Sequence, residues 1–182
     1  MPTKRELVLD GAIELLGTRG LRALTHRAVD ESASMPSGSA SNYFRTREAL
    51  LTGVAERLEE RDYTDWAALS RVPAPTEIDH LVAGLTLFAR HAVHTDRTRT
   101  LARYALFLEA QTNPVLLESM RRSHERLLAW AATILGAFDA DATTAKILAD
   151  YLDGLVMHQL FNPTADFDPT QAMDRTVRAL LG

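Results

Sequence analysis

Between Ser37 and Tyr43 the chain gathers three serines, a glycine and an asparagine, and Phe44, Arg45 and Arg47 follow at once. These side chains offer hydroxyl, carboxamide, phenol and guanidinium groups. Such groups hydrogen-bond phosphate oxygens and base edges, and short side chains let a backbone come close to them. On composition alone a Ser/Gly/Asn segment between helices is ordinarily a linker. Here a capped short helix precedes it and FRTREALL follows it, which points instead to a helix with a small polar face. Phe44 is expected to turn inward and seat that helix. Arg47, in the first turn of the next helix, is placed to reach a phosphate beside free backbone N–H groups.

Other chemistry is sparse. Cysteine is absent, which excludes thiol catalysis and Cys-based zinc sites and suits a reducing cytoplasm. No local nucleophile–base pair or carboxylate–histidine set appears, so the chain is not read as an enzyme. His91 and His94 stand three apart with Asp96 nearby. No second carboxylate converges in sequence, so no metal or other cofactor is expected. His124 reads as an interface or core histidine.

The elements that position these groups are helices. Hydrophobic residues make up 46% of the 182 residues and charged residues 24%, enough for a core without a disulfide or metal staple. Apolar residues recur at helical spacing nearly throughout, and no alternating strand pattern survives. The class is therefore all-α, with about nine helices: four before Pro73 and five after. The first runs over about residues 3–18 and ends at Gly20. Thr25 caps a short second helix reaching about residue 33. A third covers about 37–43. Thr46 caps a long fourth helix to about 71, and VPAP stops it. Gly136 is expected to end the seventh helix, and Asn162 to Pro169 separate the last two. No run is long and apolar enough to span a membrane.

Two short helices joined by a Ser-Met-Pro turn are not stable alone and must pack on the first and fourth. That is the plan of a helix-turn-helix, whose second helix enters the major groove. Charge agrees modestly. Residues 1–50 carry a net +1 and residues 51–182 a net −5, within a total of −4.

The run VDESASMPSGSASNYFRTREALL, Val29 to Leu51, resembles the head of TetR/AcrR-type transcriptional regulators, whose pattern is VAxxAGVSKGTLYxYFxSKEELL. Val29, Ala33, Gly38, Tyr43-Phe44, Glu48 and Leu50-Leu51 match. Met35, Ser39, Thr46 and Arg47 stand for Val, Thr, Ser and the phosphate-binding Lys. Thr25 matches a position that commonly holds a phosphate. Three departures stand out. Ser34 replaces the turn glycine, so an unusual turn angle there would fall on a non-glycine residue. Pro36 replaces the capping serine, leaving Ser34 or Ser37 to cap, or the helix to start one residue later. Ser41 replaces a tyrosine and shortens the reach, which Asn42 and Tyr43 are left to supply.

The resemblance implies a sequence-specific DNA-binding regulator: a head over 1–50 and a ligand-binding and dimerisation body over 51–182. Its expected partners are double-stranded operator DNA, a small, mainly apolar effector and a second copy of the chain, in the cytoplasm. The expected DNA-binding residues are Thr25, Arg27, Ser37, Gly38, Ser39, Asn42, Tyr43 and Arg47. Phe88, Tyr104, Phe107, Leu108, Met120 and Trp130 are expected to line the effector cavity. Tyr151, Leu155, His158, Val177 and Leu181 are expected at the dimer interface, where Gly154 would let helices approach. The alternatives are an all-α enzyme with the first helices as scaffold, and a helical adaptor that binds protein.

Overall fold

The computed structural model describes residues 2–69 and 74–182. Among them are nine α-helices and no strand. They are α1 (Lys4–Arg19), α2 (His26–Ser32), α3 (Ser39–Tyr43), α4 (Arg47–Leu69), α5 (Ile78–Val93), α6 (Arg97–Ala110), α7 (Pro114–Leu135), α8 (Ala142–Phe161) and α9 (Thr170–Leu181). Two short 3₁₀ turns, Leu21–Ala23 and Gly136–Phe138, join them. The expected end of α4 near residue 71, and Val72-Pro73 of the expected break, lie outside the described residues.

The helix starts follow local chemistry. Thr3 and Glu6 form a capping box: the Thr3 hydroxyl accepts the Glu6 N–H at 3.2 Å, and the Glu6 carboxylate accepts the Thr3 N–H at 2.6 Å. The bond from the Thr3 N–H, foremost, holds the Glu6 carboxyl below its ordinary range. Thr25 caps α2 through the Ala28 N–H, and Thr46 caps α4 through the Ala49 N–H. Asp141 caps α8 by accepting the Thr144 N–H at 2.7 Å, and this bond lowers its carboxyl. α7 ends at Leu135, so Gly136 stops it as expected. The chain tightens into a 3₁₀ turn there, and the left-handed residue is Asp139, with φ of 52°.

Two compact units result, Met1–Leu69 with Thr98–Ser123, and Ser70–Arg97 with His124–Gly182. The first is built on one continuous apolar core. Val8, Leu9, Ala12, Ile13, Leu15 and Leu16 line the inner face of α1. Leu50, Leu51, Val54 and Leu58 of α4 meet them, and Ala102, Leu106 and Leu116 join from α6 and α7. Ion pairs tie the same helices together. Arg57 on α4 forks onto both Asp10 oxygens at 2.9 and 3.0 Å and also reaches Glu6 and Glu60. The Asp10 bonds, foremost, push the Arg57 guanidinium above its usual range. Asp62 on α4 accepts two bonds from Arg103 on α6, at 2.7 and 2.9 Å. Burial raises the Asp62 carboxyl, and the pull of Arg103 and Arg99 opposes that rise.

In the second unit α5 packs against α8 and α9. Leu81, Val82, Leu135, Ala145, Leu148, Met173 and Val177 form its buried apolar cluster. Val177, expected at the dimer interface, is fully enclosed in this core and has no surface to offer a partner. The apolar stripe of α9 is spent on the chain's own α5.

Candidate nucleic-acid interface

The polar segment forms a short helix, placed as a helix-turn-helix requires. α2 ends in a Schellman motif: the Ser34 N–H donates to the Glu31 carbonyl and the Met35 N–H to the Asp30 carbonyl. The left-handed position of that motif falls on Ser34, at φ of 52°, where the family pattern has glycine. Met35 then packs on the core. The angle expected from the sequence is present, and a residue with a Cβ bears it.

α3 begins at Ser39, two residues later than the expected 37, because Pro36 and Ser37 belong to the turn. Gly38 stands before the helix at φ of 90°, a left-handed angle that glycine adopts without strain. Neither Ser34 nor Ser37 caps the helix. The cap is Asp30, from α2. Its two carboxylate oxygens accept the N–H groups of Gly38 and Ala40, each at 2.7 Å, and the residue is 3% exposed. Sequence reasoning counted Asp30 only as a charge. The signal that could have found it is its place in the family pattern, where Asp30 stands at an alanine.

The far end of α3 is fastened by Phe44. Its ring is buried against Leu9 and Gly53, and a Cβ on Gly53 would lie 2.6 Å from the ring edge. The Arg5 guanidinium lies 5.2 Å from the ring centroid. The Phe44 carbonyl accepts the His26 Nε2–H at 2.6 Å. Between these fastenings only Ala40 of α3 turns inward. Ser41, Asn42 and Tyr43 are exposed and Ser39 is half-buried.

The hydroxyls of that face are partly committed. Ser39 donates to the Pro36 carbonyl at 2.5 Å and Ser41 to the Gly38 carbonyl at 2.9 Å. Each keeps its oxygen lone pairs as acceptors. Asn42 and Tyr43 project amide and phenol groups. Arg27 is exposed on α2 and pairs with Glu31 at 3.0 Å. Arg47 donates to the carbonyls of Leu24 and Leu21, at 2.6 and 3.0 Å, which pins the start of α4 to the loop before α2. With Leu24, Thr25, His26 and Leu50 it lines a hollow of about 240 Å³. Thr25, expected to meet a phosphate, therefore shares a concave site with a histidine and an arginine.

The other expected residues divide between the two units. Tyr104, Phe107, Leu108 and Met120 lie in the first. The rings of Tyr104 and Phe107 are 5.9 Å apart, Leu108 is 77% exposed and Met120 packs on the core. Phe88 and Trp130 lie in the second unit, Phe88 being half-exposed. Tyr151 and Leu181 pack at the edge of the second core, Leu155 is half-buried and His158 is exposed. Leu155 and His158 line a hollow of about 240 Å³ with Gln159, Asn162 and Phe167. Among the described residues no group of three or more His, Asp or Glu is placed to hold a metal ion. No helix among them is long and apolar enough to cross a membrane.

Comparison with known proteins accords with this geometry. Residues 8–54 match the bacterial regulatory proteins, tetR family, and residues 76–182 match the tetracyclin repressor-like C-terminal domain. An uncharacterized HTH-type transcriptional regulator in the dhlA 5′ region of Xanthobacter autotrophicus is 39% identical over 64 residues. That stretch is 35% of this chain and 32% of that protein, so the match spans about a third of the relative's length. The crystal structure of the multidrug binding protein EbrR complexed with ethidium is 26% identical, with a TM-score of 0.76 over 99% of each chain. A TetR-family member from Streptomyces coelicolor A3 is 24% identical and shares the fold, with a TM-score of 0.75 over 100% of this chain and 99% of that one. The chain belongs to the TetR family of DNA-binding transcriptional regulators.

Proposed function

We propose that the chain is a dimeric repressor that binds operator DNA through α3 and is released by a small, mainly apolar or aromatic effector. The observation that carries this reading is α3 itself, whose exposed side chains are small and polar while Asp30 and Phe44 fix its two ends. Ser39, Asn42 and Tyr43 face base edges and Ser37 and Gly38 allow close approach. Thr25, Arg27 and Arg47 meet phosphates. Division into a head over 1–50 and a body over 51–182 follows from these roles.

One small helix reads too little sequence, so two heads act on two half-sites. The partner surface is the outer face of α8. Ile147, Met157 and Phe161 are exposed there, Phe161 to 84%. Gly154 lies on the same helical face, with nothing within 4 Å of where a Cβ would stand. Tyr151, Leu155, His158 and Leu181 border it. The candidates for effector contact are Tyr104, Phe107, Leu108 and Met120 in the first unit and Phe88 and Trp130 in the second, and effector binding shifts an existing equilibrium in the spacing of the heads. EbrR, which binds ethidium and malachite green in its crystal structures, supports an aromatic effector. The cytoplasm is the compartment in which such a regulator meets its DNA.

A binding titration tests the DNA part. The probe is a duplex that the protein itself selects from a random library, set against a scrambled duplex over a salt series. Tight binding of the selected duplex that weakens steeply with salt is expected. Equal affinity for both duplexes contradicts the reading. Arg47→Ala should weaken both duplexes and flatten the salt slope. Ser39→Ala or Asn42→Ala should change the preference between them. Ethidium is best read by thermal shift on the protein alone, because the dye also intercalates in DNA.

A further inference from the structure

The cap on α3 is misplaced relative to the family pattern, and the misplacement is coordinated. Where the pattern has serine to start the recognition helix, this chain has Pro36, whose side chain accepts no hydrogen bond. Where the pattern has alanine on α2, this chain has Asp30. In the fold the second change answers the first. The Asp30 carboxylate reaches across the turn, eight and ten residues on, and takes both the Gly38 and the Ala40 N–H. No side chain within the turn caps α3.

We propose that Asp30 is a positioning residue for DNA recognition, a buried carboxylate that replaces the missing serine cap and fixes where α3 starts and which face it presents. The argument rests on α3 being the reading helix. A helix of five residues cannot hold itself, since nucleation costs more than so few bonds return. Its N-terminal amides must find acceptors, and a charged acceptor bound to two of them is a strong one. The bond also has a direction. Asp30 sits in α2, so it ties the start of α3 to the preceding helix, whereas a serine in the turn would tie it only to itself. The relative setting of the two helices, on which groove docking depends, is therefore held at the α2–α3 corner by Asp30, as the His26–Phe44 bond holds the far end of α3.

A second consequence concerns charge. An anion already occupies the first amides of α3, and the Ser39 N–H donates to the Pro36 carbonyl. The start of α3 is thus closed to phosphate. Backbone phosphates must be met elsewhere, by Thr25, Arg27 and Arg47. Asp30 sets register and contributes no attraction, so its loss should damage sequence preference and spare the non-specific electrostatic part of binding.

The experiment compares Asp30→Asn, Asp30→Ala, Pro36→Ser and the double variant Asp30→Ala/Pro36→Ser, using the selected and scrambled duplexes. Thermal melts and amide exchange at residues 38–40 are followed alongside. Asp30→Asn keeps the volume but loses one acceptor. It should lower affinity for the selected duplex roughly tenfold while leaving the scrambled duplex nearly unchanged. Asp30→Ala should lose more, and adding Pro36→Ser should restore part of the loss by supplying the serine cap. Faster exchange of the Gly38 and Ala40 amides in Asp30→Asn, with the rest of the first unit still protected, is expected even if Asp30→Ala does not fold. An unchanged ratio of selected to scrambled affinity in Asp30→Asn overturns the proposal, as does unchanged amide exchange. If Ser39→Ala and Asn42→Ala also leave preference untouched, the reading role of α3 fails. If they alter preference and Asp30→Asn does not, only the role of Asp30 fails.

Discussion

The two compact units of this protein are finished to different degrees. Nineteen apolar residues are buried in the first unit among the described residues, against eleven in the second. The first unit also bolts its helices together with charge, through Arg57 onto Asp10, Arg103 onto Asp62 and Arg47 onto the loop before α2. The second leaves ten apolar residues only partly covered around its core, and Ile147, Met157 and Phe161 stand open on α8. A part that must present a helix at a fixed angle gains from being complete on its own. A part that must meet another copy has to keep apolar surface in reserve.

That contrast can be broken by substitution. Leu9→Ala, in the enclosed core under Phe44, should cost about 2–5 kcal/mol in chemical denaturation. Phe161→Ser, at the most exposed large apolar residue, should leave the denaturation of the first unit unchanged and weaken self-association at least roughly tenfold by sedimentation. If Phe161→Ser destabilises as much as Leu9→Ala, the second unit is not open as described. Gly53→Ala sharpens the picture inside the first unit. The added Cβ would press on Phe44 at 2.6 Å, and a cost of about 1–3 kcal/mol is expected, together with weaker binding of the selected duplex.

Ser34→Gly is a smaller test and opposite in sign. It relieves a left-handed serine in the α2–α3 turn and should raise stability by about 1 kcal/mol in the same denaturation experiment. The smallest effect is at Asp141. Its carboxyl is held below its ordinary 3.8 by the Thr144 N–H, so the stabilisation is present above that value and lost as pH falls through the lower folded value. Asp141→Asn should flatten this acid limb of the helical circular-dichroism signal without moving the neutral baseline.

The helices were legible because each needs only a local apolar period and a local stop. The caps at Thr25 and Thr46 act on amides three residues away, so they too can be read along the chain. The strained turn at Ser34 was legible as a glycine position held by another residue. Asp30 was not, because it acts on amides eight and ten residues on and only the fold brings them together. The start of α3 moved to Ser39 because Pro36 and Ser37 belong to the turn. Val177 shows another kind of limit. An amphipathic stripe states that a face will be covered, and cannot state whether the chain's own α5 or a second copy covers it. Arg47 lies between these cases. Its place at the start of α4 was readable, but the two loop carbonyls that hold it were not.

The central claim is that the short polar helix α3, fixed at both ends, reads DNA sequence. The direct measurement is the affinity of the intact protein for a self-selected duplex and for its scrambled counterpart at rising salt, in wild type and in Asn42→Ala. The account predicts a clear preference for the selected duplex, a steep loss with salt for both, and a changed preference in Asn42→Ala. Equal affinities in the wild type, or a preference that Asn42→Ala and Ser39→Ala leave untouched, would contradict it.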